Sequence, residues 1–175
     1  METVVLGGGC FWCTEAIFQQ LRGVVKVTSG YAGGEFKNPG YYDLAMGRAD
    51  QAEVIKVEFD PAVITLRDLL DVFFHTHNPT TVNQQGADKG PAYRSVILYT
   101  SPEQKGIAEN LIAELGRSGE FGNPIVTDVE PLGEFYEAEE EHQSYYERNS
   151  YLPYCEVVIS PKLAKLREKY REKLK

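Results

Sequence analysis

Hydrophobic residues along this chain alternate between a two-residue and a helical period, and glycine or proline marks most of the changes. Thr3-Val4-Val5-Leu6 reads as a short strand that empties into Gly7-Gly8-Gly9. A helical pattern follows from Cys10 to Leu21, with Gly23 as its stop. Val24 to Tyr31 predicts a second strand, Ala32 to Gly40 a loop, and Tyr41 to Met46 a short helix. From Glu53 to Phe59, Val57 and Phe59 fall on one face and Lys56 and Glu58 on the other, the alternation of a half-buried strand.

Thr65-x-x-Asp68 is a capping-box-like start to a helix with Leu66, Leu69, Leu70, Phe73 and Phe74 on one side. Asn78-Pro79 ends it, and the polar, glycine-bearing stretch through Tyr93 is a long irregular segment of the functional or mobile kind. Ser95 to Thr100 predicts a strand. Ser101-Pro102-x-Gln104 caps a helix along Ile107, Leu111 and Leu115. Further on, Ile125 to Val129 reads as a strand, Ala138 to Asn149 as helical, Val157-Val158-Ile159 as a last strand, and Ser160-Pro161 as the start of a terminal helix. No repeat or linker divides the chain, so one domain over residues 1–175 is expected. The interleaved strands and helices predict an α+β two-layer sandwich with a mixed, largely antiparallel sheet.

Composition narrows the function. A net charge of −8 argues against a nucleic-acid partner. No apolar run reaches the ~18 residues of a membrane span, and no signal-peptide pattern opens the chain, so a cytoplasmic location is expected. The basic stretch Lys162 to Lys175 carries Leu163, Leu166, Tyr170 and Leu174 at helical spacing, which predicts a docked or partner-facing amphipathic helix rather than a membrane anchor. Three cysteines are too few for a disulfide framework.

Cys10 stands where the glycine turn meets a helix start, and unpaired N–H groups there favour a thiolate. Phe11 and Trp12 follow it, then Cys13. On a helix, Cys-x-x-Cys places the two α-carbons about 5 Å apart, close enough for a disulfide. The pair equally supplies half a zinc site, for which Cys155, His75, His77 and His142 are the remaining ligands; no second close pair completes it. Thiol redox chemistry is the stronger reading, and a general dithiol–disulfide oxidoreductase is its simplest form.

Gly9-Cys10-Phe11-Trp12 with Thr14-Glu15 resembles the signature of the A-type peptide-methionine (S)-S-oxide reductases. The likeness extends through Ser29-Gly30-Tyr31-Ala32-Gly33-Gly34, Gln51-Ala52-Glu53-Val54, His77-Asn78-Pro79-Thr80 and Gln85-Gly86-Ala87-Asp88-x-Gly90. It continues through Tyr93-Arg94-Ser95 and Phe135-Tyr136-x-Ala138-Glu139-x-x-His142-Gln143-x-Tyr145.

The resemblance implies a ferredoxin-like core and Cys10 as the nucleophile. It implies that Phe11 and Trp12 receive the substrate's S-methyl group. Glu53, Tyr31 and Tyr93 would polarise the sulfoxide oxygen, and Asp88 would lie near the substrate backbone. His142 and Tyr145 belong to its late motif, on the substrate side. Methionine sulfoxide, free or in oxidised proteins, would be the substrate of a monomer without metal or organic cofactor, and an external dithiol such as thioredoxin the reductant. For the acid role, Glu53 should be buried and protonated near neutrality. Many relatives have glycine at Cys13, and others have cysteine. Cys155 lies roughly where family members place a resolving cysteine. Both are candidates, with Cys13 favoured by proximity. Asp50-Gln51 and Asn78 replace the family's Gly-His and Asp at those places, outside the residues assigned to the chemistry.

Overall fold

The computed structural model describes residues 1–175. In chain order its strands and helices begin with β1 (Glu2–Gly8), α1 (Phe11–Phe18), β2 (Val24–Ala32), α2 (Tyr41–Ala45), β3 (Ala52–Phe59) and α3 (Leu66–Thr76). A two-residue hairpin, β4 (Gln84–Gln85) and β5 (Asp88–Lys89), interrupts the long loop; β6 (Ser95–Tyr99) and α4 (Pro102–Ser118) follow. The chain continues with β7 (Asp128–Pro131), β8 (Phe135–Glu137), α5 (Tyr145–Asn149) and α6 (Ser160–Lys169). The main sheet runs β7-β6-β1-β3-β2-β8. Every neighbouring pair in it is antiparallel except β6–β7. Its inner four strands, β6-β1-β3-β2, have the order of a ferredoxin-like fold, with α1 and α3 as the crossovers.

Alternation in the strands decides which residues form the core. Val4, Leu6, Ile55, Val57 and Phe59 turn to the helix-covered face, where they meet Phe18, Leu69, Phe73 and Leu111. Val5, Val54, Val96 and Leu98 make a smaller apolar cluster on the other face, against Leu132 and Phe135. In α3 the predicted stripe is buried, and Thr65 Oγ1 accepts the Asp68 N–H at 3.1 Å. The α4 stripe is Gln104, Ala108, Leu111 and Leu115; Ile107, predicted on it, lies one step round the helix and is exposed.

Four predictions need correction. α1 ends at Phe18, and Leu21 is instead buried beside a bridge to Leu174. The strand expected at Ile125 begins only at Asp128, where parallel pairing with Val96 becomes possible. Ala138 to Asn149 is not one helix: a tight turn at Glu140–His142 and a left-handed Ser144 (φ 51°) precede α5. Val157–Ile159 is no strand. Cys155, Ile159, Leu163, Leu166 and Tyr170 are buried at helical spacing, so the terminal helix starts earlier than Ser160. It opens at Pro153, and its stretch Cys155–Ile159 is widened to a π-helix, because Pro161 has no N–H and crowds the carbonyl four residues before it. Docking of the basic tail along this stripe matches the amphipathic reading.

β8 carries the segment Ala138–Tyr145 to the sheet edge, and Gly30 is what lets it approach. A β-carbon on Gly30 would lie 2.4 Å from the Phe135 ring and 2.6 Å from the Tyr136 carbonyl oxygen. Gly30→Ala should therefore destabilise the protein by about 1–3 kcal/mol, the usual range for overpacking, read as a lower urea midpoint.

Candidate active site

Gly9 adopts φ +97° at the turn from β1 to α1, and the Gln85 side chain packs where a β-carbon would stand. A larger residue is therefore strained there twice over. Cys10 sits just outside α1: its backbone is extended, and its carbonyl accepts the Cys13 N–H at 3.1 Å and the Thr14 N–H at 3.4 Å. Its side chain thus projects from the helix N-terminus. The Phe11 N–H, unpaired within the helix, donates to Glu53 Oε1 at 3.1 Å. A carboxyl group from β3 caps the helix that carries the cysteine.

Glu53 is 3% exposed. Burial pushes its pKa up to about 8, against the lowering effect of the Phe11 N–H. The side chain is therefore mostly a neutral acid at pH 7. Because Oε1 accepts from Phe11, the acid proton resides on Oε2, the oxygen free to give it away.

Tyr31 pairs with Glu53 across β2 and β3, and its ring lies 5.6 Å from that of Phe11. The Tyr31 hydroxyl donates to Glu139 Oε1 at 2.8 Å, and Glu139 Oε2 accepts the Tyr41 N–H. Tyr93 lies at the end of the long loop, where burial and then the charges of Glu53 and Asp88 raise its pKa. Asp88, in the short hairpin, accepts from the Tyr154 hydroxyl at 3.4 Å. The same hydroxyl stands 3.9 Å from Cys13 Sγ.

On the other side of Cys10 the aromatic residues form a wall. Trp12 stacks on Tyr145 with centroids 3.8 Å apart and planes 7° apart. Its indole N–H donates to His142 Nδ1 at 3.1 Å, and His142 stacks on Tyr41 at 4.5 Å. Burial lowers the His142 pKa, which leaves Nδ1 free to accept. A depression of about 220 Å³ lies over Trp12, Tyr41, His142 and Tyr145. Phe11, by contrast, is fully buried and forms the floor.

The three thiols are free. Cys10 and Cys13 titrate together, and the direction at Cys10 is opposite to the thiolate expected at a helix start. Hydrogen bonding with Cys13, burial and the Glu53 charge raise the Cys10 pKa, while hydrogen bonding with Cys10 brings Cys13 down to about 7. The first proton therefore leaves the pair near neutrality, and the second is held tightly. A neutral Glu53 removes one of the effects that oppose charge on Cys10. Cys155 is sealed from solvent at the start of the π stretch of the terminal helix, within electrostatic reach of Cys13. The remaining histidines are engaged elsewhere: His75 with Glu120, and His77 with Ser95 Oγ at 2.7 Å.

Residues 2–174 match the sequence pattern of the family described as peptide methionine sulfoxide reductase. The chain belongs to this family. It is 51% identical over 174 residues to the peptide methionine sulfoxide reductase MsrA of Trichodesmium erythraeum, covering 99% of this chain and 98% of that one. Among solved structures, Mxr1 of Saccharomyces cerevisiae in reduced form superposes with a TM-score of 0.80 at 38% identity, covering 88% of each chain. Mxr1 in complex with Trx2 superposes at 0.57, with 31% identity over 82% of this chain and 84% of that one.

The fold thus gathers Cys10, Cys13, Glu53, Tyr31, Tyr93, Asp88, Phe11, Trp12, His142 and Tyr145 around one turn, with Cys155 behind Cys13. Three contributors escaped the sequence reading: Tyr154, Tyr41 and Glu139. Tyr154 precedes Cys155 in Leu-Pro-Tyr-Cys, and Glu139 stands within the late family motif; those neighbourhoods were the available signals.

Proposed function

We propose that the protein reduces methionine (S)-sulfoxide, free or in oxidised proteins, by a thiol mechanism centred on Cys10. The observation that carries this reading is the capped turn: a cysteine at a helix N-terminus and a buried, protonated carboxyl group are tied together through the Phe11 N–H. The substrate methyl group lies against Trp12 above Phe11, with the sulfoxide oxygen toward Glu53 Oε2 and the Tyr93 hydroxyl. Tyr31 serves through Glu139, which holds its phenol.

Glu53 gives its proton to the oxygen as the Cys10 thiolate attacks sulfur, and the oxygen passes to Cys10. The products are methionine and a Cys10 sulfenic acid; the sulfur of the substrate is reduced by two electrons and that of Cys10 oxidised by two. The Cys13 thiol then attacks Cys10 Sγ, which releases water and leaves a Cys10–Cys13 disulfide. Cys155, within electrostatic reach of Cys13, would exchange with that bond once the Tyr154–Cys155 segment moves. An external dithiol restores the thiols, and the complex of the neighbour Mxr1 with Trx2 supports thioredoxin in that role. No helix is long and apolar enough to cross a membrane.

One stoichiometric turnover without reductant, followed by disulfide mapping, tests the resolving step. With Cys155→Ser the bond should join Cys10 and Cys13. A Cys10–Cys155 bond in the parent protein, with Cys13 still free, would overturn the assignment.

A further inference from the structure

Glu15 is a buried acid that no step of the reduction uses. It is 1% exposed, and burial raises its pKa. Oε1 accepts the Tyr145 N–H at 3.3 Å, and Oε2 has no hydrogen-bond partner. A leucine at this position would bury apolar area without a desolvation cost, so the polar group needs a reason.

The reason lies in the spacing along α1. Trp12, Glu15 and Gln19 are three and four residues apart and share one face of the helix. Each reaches the same short segment. The Trp12 indole N–H bonds His142 and its ring stacks on Tyr145; Glu15 takes the Tyr145 N–H; Gln19 Nε2 donates to Ser144 Oγ at 3.4 Å. Gln143 fastens the segment from behind, accepting the Ser29 N–H and donating to the Ser29 and Ala138 carbonyls. Ser144 itself is left-handed, an unfavourable conformation for a non-glycine residue that persists only when its neighbours hold it.

We propose that Glu15 is a positioning residue: its buried carboxyl group fixes the Ser144–Tyr145 corner to α1 and so sets the ring stack that orients Trp12. The effect on turnover rests on the reading that Trp12 receives the substrate methyl group; the effect on the stack does not. Glu15 touches neither Cys10 nor Glu53 through any hydrogen bond, so its loss should loosen substrate seating more than the chemical step.

Trp12 is the single tryptophan of the chain, and its emission reports the stack directly. Glu15→Ala should shift that emission to longer wavelength and raise KM for methionine sulfoxide by about five- to tenfold, with kcat changed by less than about twofold. Glu15→Gln keeps an acceptor oxygen in place and should restore both readouts. If the alanine variant does not fold, Glu15→Asp, one methylene too short to reach Tyr145, carries the same expectations. A folded alanine or aspartate variant with parental emission and KM overturns the proposal, as does a glutamine variant as impaired as alanine. An emission shift without a KM change would show the positioning to be real and the Trp12 seat to be wrongly assigned.

Discussion

Cys10→Ser should lower sulfoxide turnover by about 10⁴-fold or more, with the fold intact. A serine hydroxyl at the same helix start remains protonated at neutral pH, and its oxygen cannot accept the sulfoxide oxygen to form a sulfenic acid. The contrast with Cys13→Ser makes the prediction sharp. That variant retains Cys10, the Phe11 floor and the Glu53 cap, so it should release one equivalent of methionine and then stall. Methionine formed per enzyme, measured without reductant, separates the two. A racemic sulfoxide should be consumed only halfway by the parent protein. Substantial steady activity in Cys10→Ser would sink the nucleophile assignment and return the pair to general dithiol exchange.

The two cysteines are distinguished by their surroundings, not by their spacing. Cys-x-x-Cys alone is symmetric to a sequence reader, but the fold gives Cys10 the free helix end and the Glu53 acid, and gives Cys13 the burial and the neighbourhood of Cys155. The glycine triplet, the β3 alternation and the α3 stripe were legible because each is a local pattern with a single period. Val157–Ile159 misled because three β-branched residues favour a strand only where an edge is open to pair. Here burial at Cys155, Ile159 and Leu163 imposes a helical period instead.

The Tyr31–Glu139 and Tyr154–Cys13 contacts join positions more than a hundred residues apart, which periodicity does not reach. Family resemblance supplied Tyr31, but only the structure shows that its phenol is committed to Glu139. The Tyr93 hydroxyl, beside the Glu53 and Asp88 charges, makes no hydrogen bond to the protein.

Glu53→Gln should reduce kcat by about 10²–10⁴-fold, the range for losing a positioned general acid, while the amide oxygen still caps Phe11. The pH profile should carry the clearer signature. In the parent, activity rises as the cysteine pair loses its first proton near 7 and falls as Glu53 loses its proton near 8, giving a maximum between them. The glutamine variant should lose the alkaline fall. Stability should move the other way. The folded pKa of Glu53, about 8, lies above its ordinary value of 4.5, so the native state binds the extra proton between these limits. Its contribution to stability is complete below that window and is lost as pH rises through about 8. Glutamine has no such titration, so the variant's thermal midpoint should exceed the parent's by a margin that widens from pH 6 to pH 9. An alkaline fall that survives in the glutamine variant would move the acid role away from Glu53 to another group.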